Sequence, residues 1–103
     1  MTITLISAAL ALMFSPVDAL VENALQVEAG AVTYTTFLEA DGTYTTTIGI
    51  SGTWTAENGE LCVTRSTGEH GCQPLQDDIA LGSTWQGTNP ATGEAVTYTV
   101  IAR

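Results

Sequence analysis

Hydrophobic positions are arranged in two ways along this chain. From Leu5 to Phe14 they run nearly unbroken, L-I-S-A-A-L-A-L-M-F, whereas beyond Leu25 they alternate with threonines and are punctuated by glycines. The first pattern suits a short helix and the second suits strands. A membrane span takes roughly 20 apolar residues, and Pro16 and Asp18 stop this run short. Pro16 is expected to end the helical stretch, and Val17 and Ala19 suit the −3 and −1 positions of a signal-peptidase site. The reading is a secretory signal peptide over 1–19, cut after Ala19, followed by one β-domain over 20–103. The leading Met1-Thr2-Ile3-Thr4 carries no Lys or Arg, which departs from the usual leader. No cysteine lies beside the cleavage site, so a membrane anchor is not expected to remain.

Register arithmetic assigns the hairpins. A two-residue loop at Asp41-Gly42 opposes Phe37 to Thr46 and scatters the apolar side chains. A three-residue loop, Ala40-Asp41-Gly42, pairs Leu38 with Tyr44, Tyr34 with Ile48 and Val32 with Ile50. That register gives one continuous apolar face and puts Gly42 where a type I turn with a bulge needs positive φ. At Asn58-Gly59 a two-residue type I′ loop sets Ala56 against Leu61 and Trp54 against Val63. It also sets Glu57 against Glu60, a like-charge pair costing a few tenths of a kcal/mol.

Elsewhere the pattern is coarser. Leu25 to Glu28 reads as a first strand, turning at Ala29-Gly30 into one that begins near Val32. Leu75 to Leu81, with Asp77-Asp78, reads as a helical turn or a loop. Trp85 falls on a short strand, Asn89 to Gly93 forms a turn, and Val96, Tyr98 and Val100 alternate to the C-terminus. The expected fold is all-β: an antiparallel meander of six to seven short strands forming a sheet, sandwich or small partly open barrel. Sixteen threonines in 20–103 fit the wet faces of such strands.

Charge narrows the partners. The 103 residues carry 11 Asp and Glu against two arginines, Arg65 and Arg103, for a net charge of −9. Loss of 1–19 leaves about −8. Nucleic acid and anionic lipid surfaces repel such a chain.

Cys62 and Cys72 are symmetric about Thr67. A hairpin through Ser66-Thr67-Gly68 sets them opposite each other, within disulfide reach, and export places them in an oxidising compartment. Closure of so short a loop stabilises a small domain by somewhat under about 3 kcal/mol. Zinc held by Cys62, His70 and Cys72 lacks a fourth ligand and any C-x-x-C pair.

Catalytic chemistry has little to draw on. His70 is the sole histidine, and its neighbours Ser66 and Glu69 do not constitute a triad, which is assembled in space. Asp77-Asp78 lacks the calcium-loop pattern, and no phosphate loop, H-E-x-x-H or G-x-S-x-G occurs. No cofactor is expected. Trp54 and Trp85, with Tyr34, Tyr44 and Tyr98, either fill the core or line a ligand pocket.

Phe37-Leu38-Glu39-Ala40-Asp41-Gly42-Thr43-Tyr44, Gly52-Thr53-Trp54-Thr55 and Gly59-Glu60-Leu61-Cys62 form an F-x-x-x-D-G-T-Y…G-T-W…L-C pattern. It resembles small exported proteobacterial proteins and the meander of lipocalin-like domains. The resemblance covers Val32 to Cys72 and implies that Asp41-Gly42 joins two strands and that Trp54 packs inward. It extends more loosely to Gly82-Ser83-Thr84-Trp85, and it implies no activity. Lipocalins are longer, and 84 residues are too few to close eight strands around a roomy cavity.

The expectation is therefore a periplasmic or secreted, disulfide-bridged, non-catalytic module that binds a small molecule or a protein. The alternative is an envelope accessory or inhibitor-like domain. A pocket at the tryptophans requires Trp54 or Trp85 to be partly exposed, an interaction module requires an apolar patch or a free edge strand, and an enzyme requires His70 in a cleft.

Overall fold

A computed structural model describes residues 16–103; the Leu5–Phe14 run lies outside them. Eight strands follow one short helix. They are α1 (Pro16–Glu22), β1 (Ala24–Ala29), β2 (Val32–Leu38), β3 (Thr43–Thr46), β4 (Ser51–Glu57), β5 (Glu60–Arg65), β6 (His70–Pro74), β7 (Thr84–Thr88) and β8 (Ala95–Ile101). All neighbours are antiparallel, in the order β6-β5-β4-β3-β2-β1-β8-β7. The sheet curls until its edge strands β6 and β7 approach, giving a nearly closed barrel. Among the described residues no helix is long and apolar enough to cross a membrane.

The count exceeds the six to seven strands expected. Both the His70–Pro74 partner of the cysteine hairpin and the short strand at Trp85 form, and with them the meander reaches eight.

The turns explain the tight meander. Asn58 and Gly59 have φ of 53° and 76°, as a type I′ turn requires, and Ala56↔Leu61, Trp54↔Val63 and Glu57↔Glu60 pair as expected. Gly42, at φ 91°, closes the three-residue loop, with Leu38 opposite Tyr44. The register then departs from expectation. Tyr34–Ile48 and Val32–Ile50 do not pair, because β3 ends at Thr46. There Gly49 takes φ 84°, and the Thr46 hydroxyl both donates to the Ile50 carbonyl and accepts from its N–H. The chain reverses in place, and Val32 and Ile48 are left exposed. The 75–81 stretch is a loop without helix, anchored by buried Ile79.

Alternation sorts the side chains by face. Val27, Tyr34, Leu38, Tyr44, Leu61, Val63, Val96, Tyr98 and Val100 point inward and form the core with Leu20, Leu25 and Ile79. One end of the barrel is shut. Helix α1 lies across it, reaching β1 and β2 on one side and the β4–β5 turn and Leu75 on the other. Pro16 stands at the first position of this helix, where its fixed φ and missing N–H are suited; the stretch it was expected to end lies outside the described residues. Leu20 is driven to 1 % exposure, and the Ala19 carbonyl accepts from both the backbone and the side chain of Asn23. The expected cleavage bond, Ala19–Leu20, therefore lies inside a packed helical turn.

Candidate functional site

The opposite end of the barrel is open. It is ringed by the β1–β2 turn, residues 47–50, residues 66–69 and the 89–94 turn. Between them a cavity of about 50 Å³ enters the interior, with Arg65, Tyr34, Thr46, Ile50, Asn89 and Pro90 toward the opening and Leu25, Val27, Leu61 and Val63 among the residues further in. Drug-sized ligand pockets run to roughly 300–1,000 Å³. The interior is thus mostly filled by its own side chains, as the short chain requires.

Arg65 reaches this position because it is the last residue of β5 and shares the inward parity of Leu61 and Val63. Its side chain is 18 % exposed, and the nearest carboxylate, Glu69, stands 4.0 Å away. The guanidinium lies beside the Tyr44 and Tyr34 hydroxyls. Burial pushes both phenols above their ordinary range, and the positive charge of Arg65 partly offsets it. Asn89 donates to the Tyr34 hydroxyl at 3.2 Å and accepts from the Ala91 N–H with its amide oxygen.

The seam between β6 and β7 forms one wall. Gly71 of β6 meets the Pro90 carbonyl so closely that an added Cβ would lie 1.6 Å from its oxygen. Lower down, the Gly87 backbone abuts the Gln73 amide and the Tyr98 ring. Gln73, 5 % exposed, hydrogen-bonds Tyr98, whose hydroxyl donates to the Thr88 carbonyl. Burial raises the Tyr98 phenol far above its usual range, so it stays a neutral donor. The two edges are therefore turned toward each other rather than toward solvent.

Of the aromatic residues singled out from sequence, Tyr44 and Tyr98 line the cavity, as does Tyr34. Trp54 and Trp85 do not, although both are half-buried. Trp54 donates its indole N–H to the Glu39 carbonyl at 2.9 Å, near the closed end. Trp85 sits across from Tyr98 with ring centroids 5.4 Å apart and packs on the core. A pocket built on the tryptophans is replaced by one built on tyrosines.

Sequence reasoning missed Arg65, Gln73 and Asn89. Strand parity from Leu61 and Val63 was the available signal for Arg65. Gln73 and Asn89 carried none, since only barrel closure brings them inside.

Cys62 and Cys72 are disulfide-bonded and directly opposite in register, with Cα atoms 4.0 Å apart, on the outer face of the β5–β6 hairpin. Glu60 is their neighbour there, but bonded sulfurs offer no thiolate to a metal. His70 is exposed on the same face, its Nδ1 2.7 Å from the Thr64 hydroxyl and outside the cavity. Asp77 and Asp78 are exposed in the 75–83 loop.

Fold and site together define a small, nearly closed antiparallel β-barrel, disulfide-bridged, plugged at one end and entered at the other past an arginine. No protein-family model, curated protein or solved structure matches the chain.

Proposed function

We propose that this protein is an exported, non-catalytic binding barrel that acts in the periplasm or outside the cell, freed from its leader by cleavage after Ala19. It takes a small ligand at the open end. The observation that carries this reading is the cavity itself: apolar depth with a cluster of polar groups converging at its opening, the arrangement by which ligand sites combine burial with orientation. The Cys62–Cys72 bond is compatible with an oxidising compartment. Cleavage has to precede folding, since the Ala19–Leu20 bond is packed once the barrel has formed. It removes Pro16 to Ala19, leaving the Leu20 to Glu22 part of α1 at the closed end of the exported barrel. The likeness to lipocalin-like domains extends, in this proposal, to end-on entry and not to ligand size.

A second reading, an envelope protein-interaction domain, draws on Val32 and Ile48, apolar side chains 51 % and 49 % exposed. Nucleic acid is no partner in either reading, because the chain carries −9.

A fragment screen by amide-resolved NMR of the exported protein separates the two. Small-ligand binding predicts shifts at Arg65, Val63, Tyr34 and Asn89. A screen that leaves these amides unmoved, alongside a protein captured through Val32 and Ile48, overturns the first reading. Intact mass of the exported chain tests processing: it is expected to begin at Leu20 and to be two hydrogens lighter than the dithiol.

A further inference from the structure

The charges lining the cavity run opposite to those of the chain. The sequence holds 11 acidic residues and two basic ones, yet among the described residues no carboxylate lines the cavity and its one ionic group is the Arg65 guanidinium. A bound ammonium would therefore meet a like charge inside, with carboxylates, Glu69 and Glu94, only about the rim. An anion would meet five N–H donors in a planar fork.

The neutral polar groups are already engaged. Asn89 and Tyr34 hold each other, while Gln73 is bonded to Tyr98 and Tyr98 to Thr88. Arg65 hydrogen-bonds the Tyr44 hydroxyl, and its remaining donors are held more loosely. Glu69 is 4.0 Å away with its side chain 46 % exposed, and it accepts a hydrogen bond from the Thr67 hydroxyl, which holds its carboxyl below the usual range. An exposed pair of this kind contributes little, so Glu69 can yield the guanidinium to a competitor while keeping its own partner.

Size sets the remainder. One water occupies about 10–15 Å³ of such a cavity, so 50 Å³ accommodates about three to five small atoms. Arg65 stands at the opening, and leucine and valine side chains lie beyond it.

Resting on the small-ligand reading, we propose that the cavity takes a short aliphatic carboxylate. The carboxylate pairs with Arg65 in place of Glu69, and an alkyl chain of about three to five carbons fills the interior. The paired head group supplies orientation, and the chain supplies burial at about four-fold in affinity per methylene.

NMR titration of the exported protein at pH 7 tests this, using propionate, butyrate, valerate and octanoate with 1-butanol and butylamine as matched controls. Affinity is expected to climb to about five carbons and then level off, with butyrate well ahead of butanol and butylamine. Arg65→Gln should weaken butyrate about ten-fold or more and leave butanol unchanged, its spectrum otherwise overlaying that of the parent. Glu69→Gln should tighten butyrate a few-fold by removing the competitor. If butanol or butylamine matches butyrate, or Arg65→Gln leaves butyrate unaffected, the carboxylate assignment is overturned and the binding reading survives. A continued rise through octanoate overturns the length limit. If none of the six compounds moves the cavity amides, both readings fall.

Discussion

The two arginines of this chain stand at opposite ends of the barrel, and their surroundings differ in kind. Arg103, past the end of β8, is fully engaged at the closed end. It donates to the carbonyls of Asn23 at 3.2 Å and Leu38 at 2.9 Å, pairs with the Glu39 carboxylate at 3.2 Å, and lies 5.3 Å over the Phe37 ring. It thereby ties the start of β1, the end of β2 and the C-terminus together beneath α1. Arg65, at the open end, faces inward beside two tyrosines, hydrogen-bonded to the Tyr44 hydroxyl and with one carboxylate at 4.0 Å, but with no backbone carbonyl among these partners. Donors engaged with backbone carbonyls stabilise a fold, whereas loosely held donors facing a cavity can recognise something else. The most deeply packed side chains, Leu20, Leu38 and Val100, each 1 % exposed, lie toward the closed end, where Leu81 of the 75–83 loop is nonetheless exposed, and Val32 and Ile48 are exposed at the open one.

The sharpest way to break that contrast is to remove packing from the closed end. Ile79→Ala, which deletes the apolar anchor of the 75–83 loop, should cost about 2–5 kcal/mol in urea unfolding. A cost below about 0.5 kcal/mol would mean that the loop is only draped over the barrel.

Next is Gly71→Ala at the open end. Its Cβ would collide with the Pro90 carbonyl, so the 89–94 turn has to move. About 1–3 kcal/mol of destabilisation is expected. Hydrogen exchange should accelerate at that turn and not in β8 near Val100. Uniform acceleration along the barrel would erase the distinction between its ends.

Smaller again is Arg103→Ala, at about 1 kcal/mol, since its ion pair is partly exposed and its backbone bonds carry most of the effect. Arg65→Gln should leave the unfolding midpoint nearly unchanged. If it destabilises as much as Arg103→Ala, the open-end arginine is structural after all.

The smallest effect tests the turns rather than the ends. Asp41 accepts from both the hydroxyl and the backbone N–H of Thr43, and these bonds hold its carboxyl below the usual range. A carboxyl whose pKa falls on folding contributes stability that is complete above its unfolded pKa and is lost as pH falls through the folded one. A carboxyl-detected titration should place Asp41 below a free aspartate, and Thr43→Val, which removes the hydroxyl but keeps the backbone N–H, should return it part of the way.

The hairpins were legible in the sequence because their turns are chemically specified. Asn58-Gly59 and Ala40-Asp41-Gly42 demand positive φ at known positions, and the register of β4 with β5 follows by counting. The bridge was legible for the same reason, since symmetry about Thr67 sets Cys62 opposite Cys72. Counting failed beyond Thr46, where a threonine side chain and Gly49 made a turn that alternation alone hides. The aromatic residues were only half legible. Alternation turned Tyr44, Tyr98, Trp54 and Trp85 all inward, but height along the barrel put the tyrosines at the cavity and the tryptophans elsewhere.

By itself, then, the sequence determined strand character, turn types, the disulfide and the net negative charge. Each is a property of neighbours in the chain or of the composition as a whole. Tertiary structure decided that eight strands curl until Gly71 reaches Pro90 and Gln73 reaches Tyr98, and that one end is plugged by α1. It also left Arg65 as the one ionic group lining the cavity among the described residues. These depend on closure, which brings together residues from opposite edges of the sheet, and no local pattern records which side chains then share the interior.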